Sequence, residues 1–203
     1  MFAAIQQFCN NIAASFNTIP EERKQLLSKI SAYIQQKKDN GEPVQLVYVC
    51  THNSRRSHFG QVWAAVAGAY YQIPNVLTFS GGTEATAFNI NAINSLKRTG
   101  FVITDDGKTS NPKYTVAFGK NLQTVCFSKV YNDAANPQQG FAAIMTCGDA
   151  EQNCPFIPGV ELRIGTTYND PKASDNTPEQ EATYDERSKQ IARECLYVFS
   201  LVK

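Results

Sequence analysis

The chain has 203 residues and a formal net charge of +1. That length allows one domain with a full core, or one domain plus an appendage. No basic stripe calls for nucleic acid, and no apolar run is long enough to cross a membrane as a helix.

The first residues, Met1 to Phe8, have neither a basic stretch nor a long apolar core. They do not read as a signal peptide, so the expected setting is the cytoplasm. Phe2, Ile5, Phe8, Ile12 and Phe16 fall on one face and predict a short amphipathic helix over 2–16. Thr18-Ile19-Pro20-Glu21 has the capping-box pattern and predicts the start of a second helix. Leu26, Leu27, Ile30 and Ile34 form its buried face, and Lys37, Lys38 and Gly41 close it. Residues 1–43 are therefore expected to be an N-terminal helical extension packed on a domain of residues 44–203. A dimer contact is the other use for them, and the sequence leaves the oligomeric state open.

Val44 to Val49 is a continuous apolar run with β-branched residues, the pattern of a buried strand in a parallel sheet. It leads into Cys50-Thr51-His52-Asn53-Ser54-Arg55-Arg56-Ser57. Phe59, Val62, Trp63, Val66, Ala67 and Tyr70 then recur at helical spacing. A loop between strand and helix aims backbone N–H groups at one point, with the positive end of the helix dipole behind them. That is a cradle for an oxyanion. Arg56 can fork onto two of its oxygens, and Cys50 at the loop's base is placed as a nucleophile facing it. Asn53, Ser54 and Ser57 supply polar support. A buried structural cysteine beside a surface arginine is the competing account, because Cys-x5-Arg also arises by chance. The position between a buried strand and an amphipathic helix weighs against it.

Val76 to Ser80 predicts a second strand, followed by Gly81-Gly82-Thr83. Asn89 is placed to cap a helix that ends at Gly100. Residues 114–118 and 124–131 flank a short turn containing Gly119 and predict a β-hairpin. Phe141 to Thr146 is another buried strand ending at a cysteine, Cys147, and Val160 to Ile164 is a last strand. Thr177-Pro178-Glu179-Gln180 is a second capping box. The helix after it is expected to bury Tyr184, Ile191, Cys195, Val198, Phe199 and Val202. Strands alternating with helices define an α/β domain with a mainly parallel sheet, whose functional loops gather at the strand carboxyl ends. Cys50 and Cys147 both fall at such ends.

The six cysteines do not read as a disulfide scaffold in a chain this well provided with core. Cys9, Cys126 and Cys195 fall in apolar patterns and are expected to be inert core residues. Cys147 and Cys154 lie in a polar stretch, seven positions apart, and are expected to be exposed and able to exchange. His52 and His58 flank the Cys50 loop, yet no cysteine pair has the spacing of a structural zinc site, so no metal is expected. Asp170-Pro171 reads as an ordinary turn on its own. Near Cys50, its carboxyl group could protonate a leaving oxygen.

The stretch Val49 to Ser57 resembles the phosphate-binding loop of the low-molecular-weight protein tyrosine phosphatase superfamily. Phe79-Ser80-Gly81-Gly82-Thr83-Glu84 resembles the segment after that family's second strand, and Asp170-Pro171 matches its general-acid motif. Cys147 to Pro155 is similar to the redox segment of its thioredoxin-coupled arsenate reductases. The likeness runs from residue 44 to about residue 200, outside the extension and the 113–131 hairpin. It implies a three-layer flavodoxin-like domain with a mainly parallel four-stranded sheet. By the same resemblance Cys50 is the nucleophile, and the loop of Thr51, His52, Asn53, Ser54, Arg55, Arg56 and Ser57 binds the oxyanion. Asp170 is then the acid, and Cys147 and Cys154 relay the disulfide to thioredoxin.

The implied activity is reduction of arsenate to arsenite, with no organic cofactor. The alternative is hydrolysis of phosphotyrosine or small aryl phosphates through a cysteinyl phosphate. Lys172-Ala173, where the phosphatases usually carry aromatic residues, weakens that alternative. Arg55, where many members carry a smaller residue, adds charge at the mouth. A module that only binds oxyanions or senses redox state is the third reading, and intact Cys50, Arg56 and Asp170 argue against it.

Overall fold

The computed structural model describes residues 1–153 and 156–203. In chain order the elements are α1 (Ala3–Ala13), α2 (Glu21–Asp39), β1 (Val44–Cys50), α3 (Arg56–Tyr70), β2 (Val76–Gly82), α4 (Ile90–Thr99) and β3 (Val102–Asp105). They continue with β4 (Tyr114–Gly119), β5 (Leu122–Cys126), β6 (Phe141–Met145), α5 (Gly148–Asn153), β7 (Val160–Gly165) and α6 (Gln180–Ser200).

A parallel four-stranded sheet runs in the order β2-β1-β6-β7. With a neighbour on each side, β1 is buried along its length except at Gln45, which accounts for its unbroken apolar run. Its side chains alternate between two apolar layers. Leu46 and Tyr48 join Ile144, Trp63, Tyr184 and Phe199 on one face. Val47 and Val49 join Ala143, Met145, Ala150 and Ile157 on the other, together with Cys50 and Cys147. The first face is covered by a thick helical layer, in which α3, α1, α2 and α4 all pack on α6. The second is covered more thinly, by α5 against β1 and β6. This is the expected three-layer α/β arrangement with one helical layer much reduced.

The expected hairpin is larger than two strands. β3 joins β4 and β5 in an antiparallel sheet of order β3-β4-β5. The second strand also stops at Cys126 instead of running to residue 131, because the chain turns back to the main sheet, where Val130 bridges Gly82 in parallel. Asn89 caps α4 as expected, accepting the N–H groups of Asn91 and Ala92, and Gly100 ends that helix at φ 109°.

Neither expected capping box forms. Thr18 sits in a 3₁₀ turn (Phe16–Thr18) that follows the shorter α1, and its hydroxyl donates to Ser15 O at 2.7 Å. Pro20 takes the cap position of α2 with no side-chain bond. Thr177 donates to Ser174 O instead, while Gln180 Oε1 reaches back to accept the N–H of Asn176 at 2.9 Å. In both places a nearby 3₁₀ turn offers a carbonyl that competes for the hydroxyl. Val202 lies past the end of α6 and is half-buried.

Ile5, Cys9 and Ile12 of α1 and Leu27, Ile30 and Ile34 of α2 lie in the same core as α6. Arg23 of α2 pairs with the buried Glu194 of α6 at 2.8 Å. Among the described residues, no helix is long and apolar enough to cross a membrane.

Candidate active site

Cys50 ends β1, and α3 begins at Arg56, so the intervening loop is pinned by a strand on one side and a helix on the other. Asn53 turns the loop in the left-handed region, at φ 43°, which asparagine tolerates better than most residues. Four carbonyls of this loop are occupied. Cys50 O accepts from the N–H of Thr83, Thr51 O from that of Glu84, and Ser54 O from that of Asn89. His52 O accepts from the hydroxyls of Thr86 and Ser128. Among the described residues, no backbone carbonyl takes the N–H groups of Thr51, His52, Asn53, Ser54 or Arg55. A run of such unspent donors is a nest for an anion.

Asn53 and Ser57 form a chain of contacts that ends at the sulfur. Asn53 Oδ1 accepts the backbone N–H of Lys129 at 2.9 Å, so its amide nitrogen is the end that faces Ser57. That nitrogen donates to Ser57 Oγ at 2.9 Å. Ser57 keeps its own proton and lies 3.1 Å from Cys50 Sγ, placed to donate to a thiolate there.

Arg56 is buried. Its Nη1 donates to Tyr168 O at 2.8 Å and its Nη2 to Asp170 Oδ2 at 2.7 Å, while its Nε has no partner among the described residues. Asp170 thus stands at the loop, on the 3₁₀ turn Pro171–Ser174, with Oδ1 accepting the N–H of Lys172 at 3.0 Å. Arg55 lies beside it and donates to the hydroxyl of Tyr184 at 2.8 Å. At the exposed rim, His52 Nε2 is 3.7 Å from Glu84 Oε2.

Cys147 follows β6, and its Sγ lies 3.4 Å from Thr51 Oγ1 and accepts the N–H of Ala150 at 3.4 Å. The expectation that Cys147 is exposed does not hold, since it is 1% exposed. The polar stretch after it folds into α5, which covers the thiol. Cys154 lies outside the described residues. Cys9, Cys126 and Cys195 are buried as expected, and burial pushes each thiol up to about 12, which keeps them protonated and inert.

His58 is a structural residue. Gln61 Nε2 donates to Val125 O, which turns Gln61 Oε1 toward the Ser80 hydroxyl. Ser80 therefore accepts from His58 Nδ1, and burial holds the imidazole neutral. Among the described residues, no cluster of histidines, cysteines and carboxylates could hold a metal.

Four supports of the site went unrecognised in the sequence. Ser128 and Lys129, just past the antiparallel sheet, hold His52 O and Asn53. Gly82 lies against the loop backbone, and Asp175 joins the Arg55–Tyr184 contact. Only Gly81-Gly82, after a strand, carried a visible signal of close backbone approach.

The fold of this chain is shared with solved low-molecular-weight phosphatases and arsenate reductases. A solved arsenate reductase in its phosphate-binding state superposes with a TM-score of 0.54 at 15% identity, covering 79% of this chain and 99% of that one. A low-molecular-weight phosphotyrosine phosphatase from Vibrio cholerae O395 gives 0.51 at 13% identity, over 77% and 95%. By sequence, the chain is 26% identical to an arsenate reductase of Bacillus subtilis over 142 residues, 70% of this chain and 84% of that protein. It is 28% identical to one of Brevibacillus brevis over 148 residues, 73% and 91%. No protein-family model matches the chain. The likenesses match the superfamily and the branch that the motifs resemble, and they indicate an enzyme of this kind.

Proposed function

We propose that the chain reduces arsenate to arsenite with electrons from thioredoxin, in a reducing compartment such as the cytoplasm. The observation that carries this reading is the placement of Cys147 beside Thr51 at the Cys50 loop, in a chain whose sequence relatives are arsenate reductases.

Arsenate would sit on the loop N–H groups and the fork of Arg56. Cys50 attacks arsenic, and an oxygen leaves as water with a proton from Asp170. Cys147 then attacks Cys50 Sγ. The new S–S bond takes the place of the S–As bond, and the electron pair leaves with arsenic as arsenite. Cys154 attacks Cys147, freeing Cys50 and leaving a Cys147–Cys154 disulfide for a dithiol of thioredoxin to reduce. Cys147 is buried under α5, so its delivery to Cys50 requires α5 to shift.

A phosphatase acting on phosphotyrosine or aryl phosphates is the second reading. It is favoured by the fact that Cys50, Ser57, Arg56 and Asp170 already stand together, with no movement of α5 required. The test is a paired assay on the reduced protein. One arm follows arsenate-dependent NADPH consumption with thioredoxin and its reductase, and the other follows aryl phosphate hydrolysis. Thioredoxin-dependent arsenate turnover supports the first reading. Ester hydrolysis alone moves the protein to the second.

A further inference from the structure

The Asp170 carboxylate lies between two guanidinium groups, and the second has no role in the reaction above. Arg55 is nearly buried, its side chain 11% exposed. Its Nε donates to the Tyr184 hydroxyl at 2.8 Å, its Nη2 lies 3.5 Å from Asp175 Oδ2, and its Nε lies 3.9 Å from Asp170 Oδ1. Asp170 and Asp175 flank the 3₁₀ turn Pro171–Ser174, so one side chain faces both ends of that turn. Tyr184 in turn donates to Asp175 Oδ1 at 2.7 Å, and Asn91 Nδ2 reaches the same oxygen at 3.3 Å. Arg55 is therefore tied to α6 and α4 and is not free to follow a substrate.

Arg56 has conflicting demands. A forked grip on a tetrahedral oxyanion takes two neighbouring N–H groups of one guanidinium. Nε of Arg56 is unspent, but Nη2 is held by Asp170 at 2.7 Å. Nη2 has a second proton to offer, but an oxyanion on the Nε–Nη2 edge is a second negative charge beside Asp170 and loosens its hold on Arg56. Without Arg56 the carboxylate keeps, among the described residues, only the N–H of Lys172 on Oδ1, and nothing else bonded to it fixes Oδ2 toward the leaving oxygen. Arg55 is the cation within reach: its Nε proton is spent on Tyr184, but its guanidinium already stands with Nε 3.9 Å from Oδ1, and its Nη groups are the donors it can turn to that oxygen.

We propose that Arg55 is a positioning residue that keeps Asp170 over the loop once Arg56 has turned to the oxyanion. The proposal rests on reading Cys50 as the nucleophile and Asp170 as the acid. On this account Tyr184 and Asp175 hold Arg55 at the correct height, and the arginine at position 55 belongs to the acid rather than to the anion.

General-acid help matters most for a poor leaving group. Arg55→Gln should therefore lower kcat on phenyl phosphate relative to kcat on p-nitrophenyl phosphate by about tenfold, with a smaller fall for Arg55→Lys. Tyr184→Phe leaves every charge in place and should move the ratio in the same direction. A ratio unchanged in both Arg55→Gln and Tyr184→Phe overturns the proposal. The second measurement is a crystal structure of the wild-type protein soaked in inorganic phosphate. The expected result is Arg56 on the phosphate and Asp170 within hydrogen-bond distance of Arg55. Asp170 still on Arg56, or turned away from Arg55, overturns it. If phosphate does not enter the loop and the wild-type protein hydrolyses neither ester, the reading of the site fails and takes this proposal with it. Wild-type turnover with an unchanged ratio defeats the proposal alone.

Discussion

Thr51 Oγ1 lies 3.4 Å from Cys147 Sγ, so the residue after Cys50 touches a thiol two positions past the neighbouring strand. The parallel register explains the meeting. Val49 pairs with Met145, and Thr146 donates its N–H to Val49 O at 2.7 Å, which brings the two strand ends out side by side. Cys147→Ser tests whether the proximity is used. Arsenate turnover with thioredoxin should fall by roughly 100-fold or more, while aryl phosphate hydrolysis stays within about threefold. Steady-state rates on both substrates check it. Survival of both activities would rule out the three-cysteine relay.

Gly82 carries a constraint of a different kind. A Cβ there would stand 2.7 Å from both Asn53 N and Thr51 O, and would press on Glu84 O. All three are backbone atoms, so no rotamer change relieves the clash. Gly82→Ala should cost about 1–3 kcal/mol of stability and open the loop. Inorganic phosphate should bind at least about tenfold more weakly by calorimetry, with the far-ultraviolet spectrum unchanged. Undiminished phosphate binding would mean that the loop tolerates the displacement.

The parallel sheet and the strand–loop–helix that carries Cys50 and Arg56 were legible in the sequence because each leaves a local mark. β1 is an unbroken apolar run, and the spacing of Cys50 and Arg56 is short enough to see. Asp170 was legible only through resemblance, since an Asp-Pro turn has many uses and the contact with Arg56 spans 114 positions. The burial of Cys147 was misread because its neighbours Gly148, Asp149 and Glu151 are polar. They form one turn of helix whose Ala150 faces inward and covers the thiol. Ser128 and Lys129 were not recognised because their hold on the loop runs through a hydroxyl and a backbone N–H, which no side-chain pattern reports. The capping boxes at Thr18 and Thr177 failed because the motif names a donor and acceptor pair, and a competing 3₁₀ carbonyl lies outside the four residues it inspects.

Lys129 is 4% exposed, with Nζ 3.5 Å from Phe127 O and 4.3 Å from the centre of the Phe127 ring. Burial lowers its pKa from 10.5 to about 8, against weaker upward pulls from Cys126 and Asp133. Between about pH 8 and 10.5 the unfolded chain holds this proton and the folded chain does not, so the group makes stability rise with pH across that window. Below it, both states are protonated and the full cost of the buried ammonium remains. Lys129→Met should therefore be more stable than wild type at pH 7 by on the order of 2–3 kcal/mol, with the gap closing toward pH 10.5. Urea midpoints of both proteins at pH 7 and 10 check it. A gap of equal size at both would mean that the ammonium is not what the burial costs.

Glu194 is 5% exposed, and its Oε2 accepts from Arg23 Nε at 3.0 Å, Arg23 Nη2 at 2.8 Å and the Tyr168 hydroxyl at 2.7 Å. Arg23 belongs to α2, and Tyr168 is the residue whose carbonyl holds Arg56. One carboxylate therefore joins the N-terminal helices to the wall of the candidate site. Arg23→Ala strips the only cation from that carboxylate among the described residues and leaves a buried anion with a single hydroxyl. Breaking a buried pair from one side is costly, and with Arg23 partly solvated the loss should be about 2–3 kcal/mol. Glu194→Gln, which keeps the shape and removes the charge, should cost less, and the double variant should be close to the Gln single. Denaturation of the three variants completes the cycle. If Arg23→Ala and Glu194→Gln simply add, the two side chains are not coupled, and the N-terminal helices are held by their apolar faces alone.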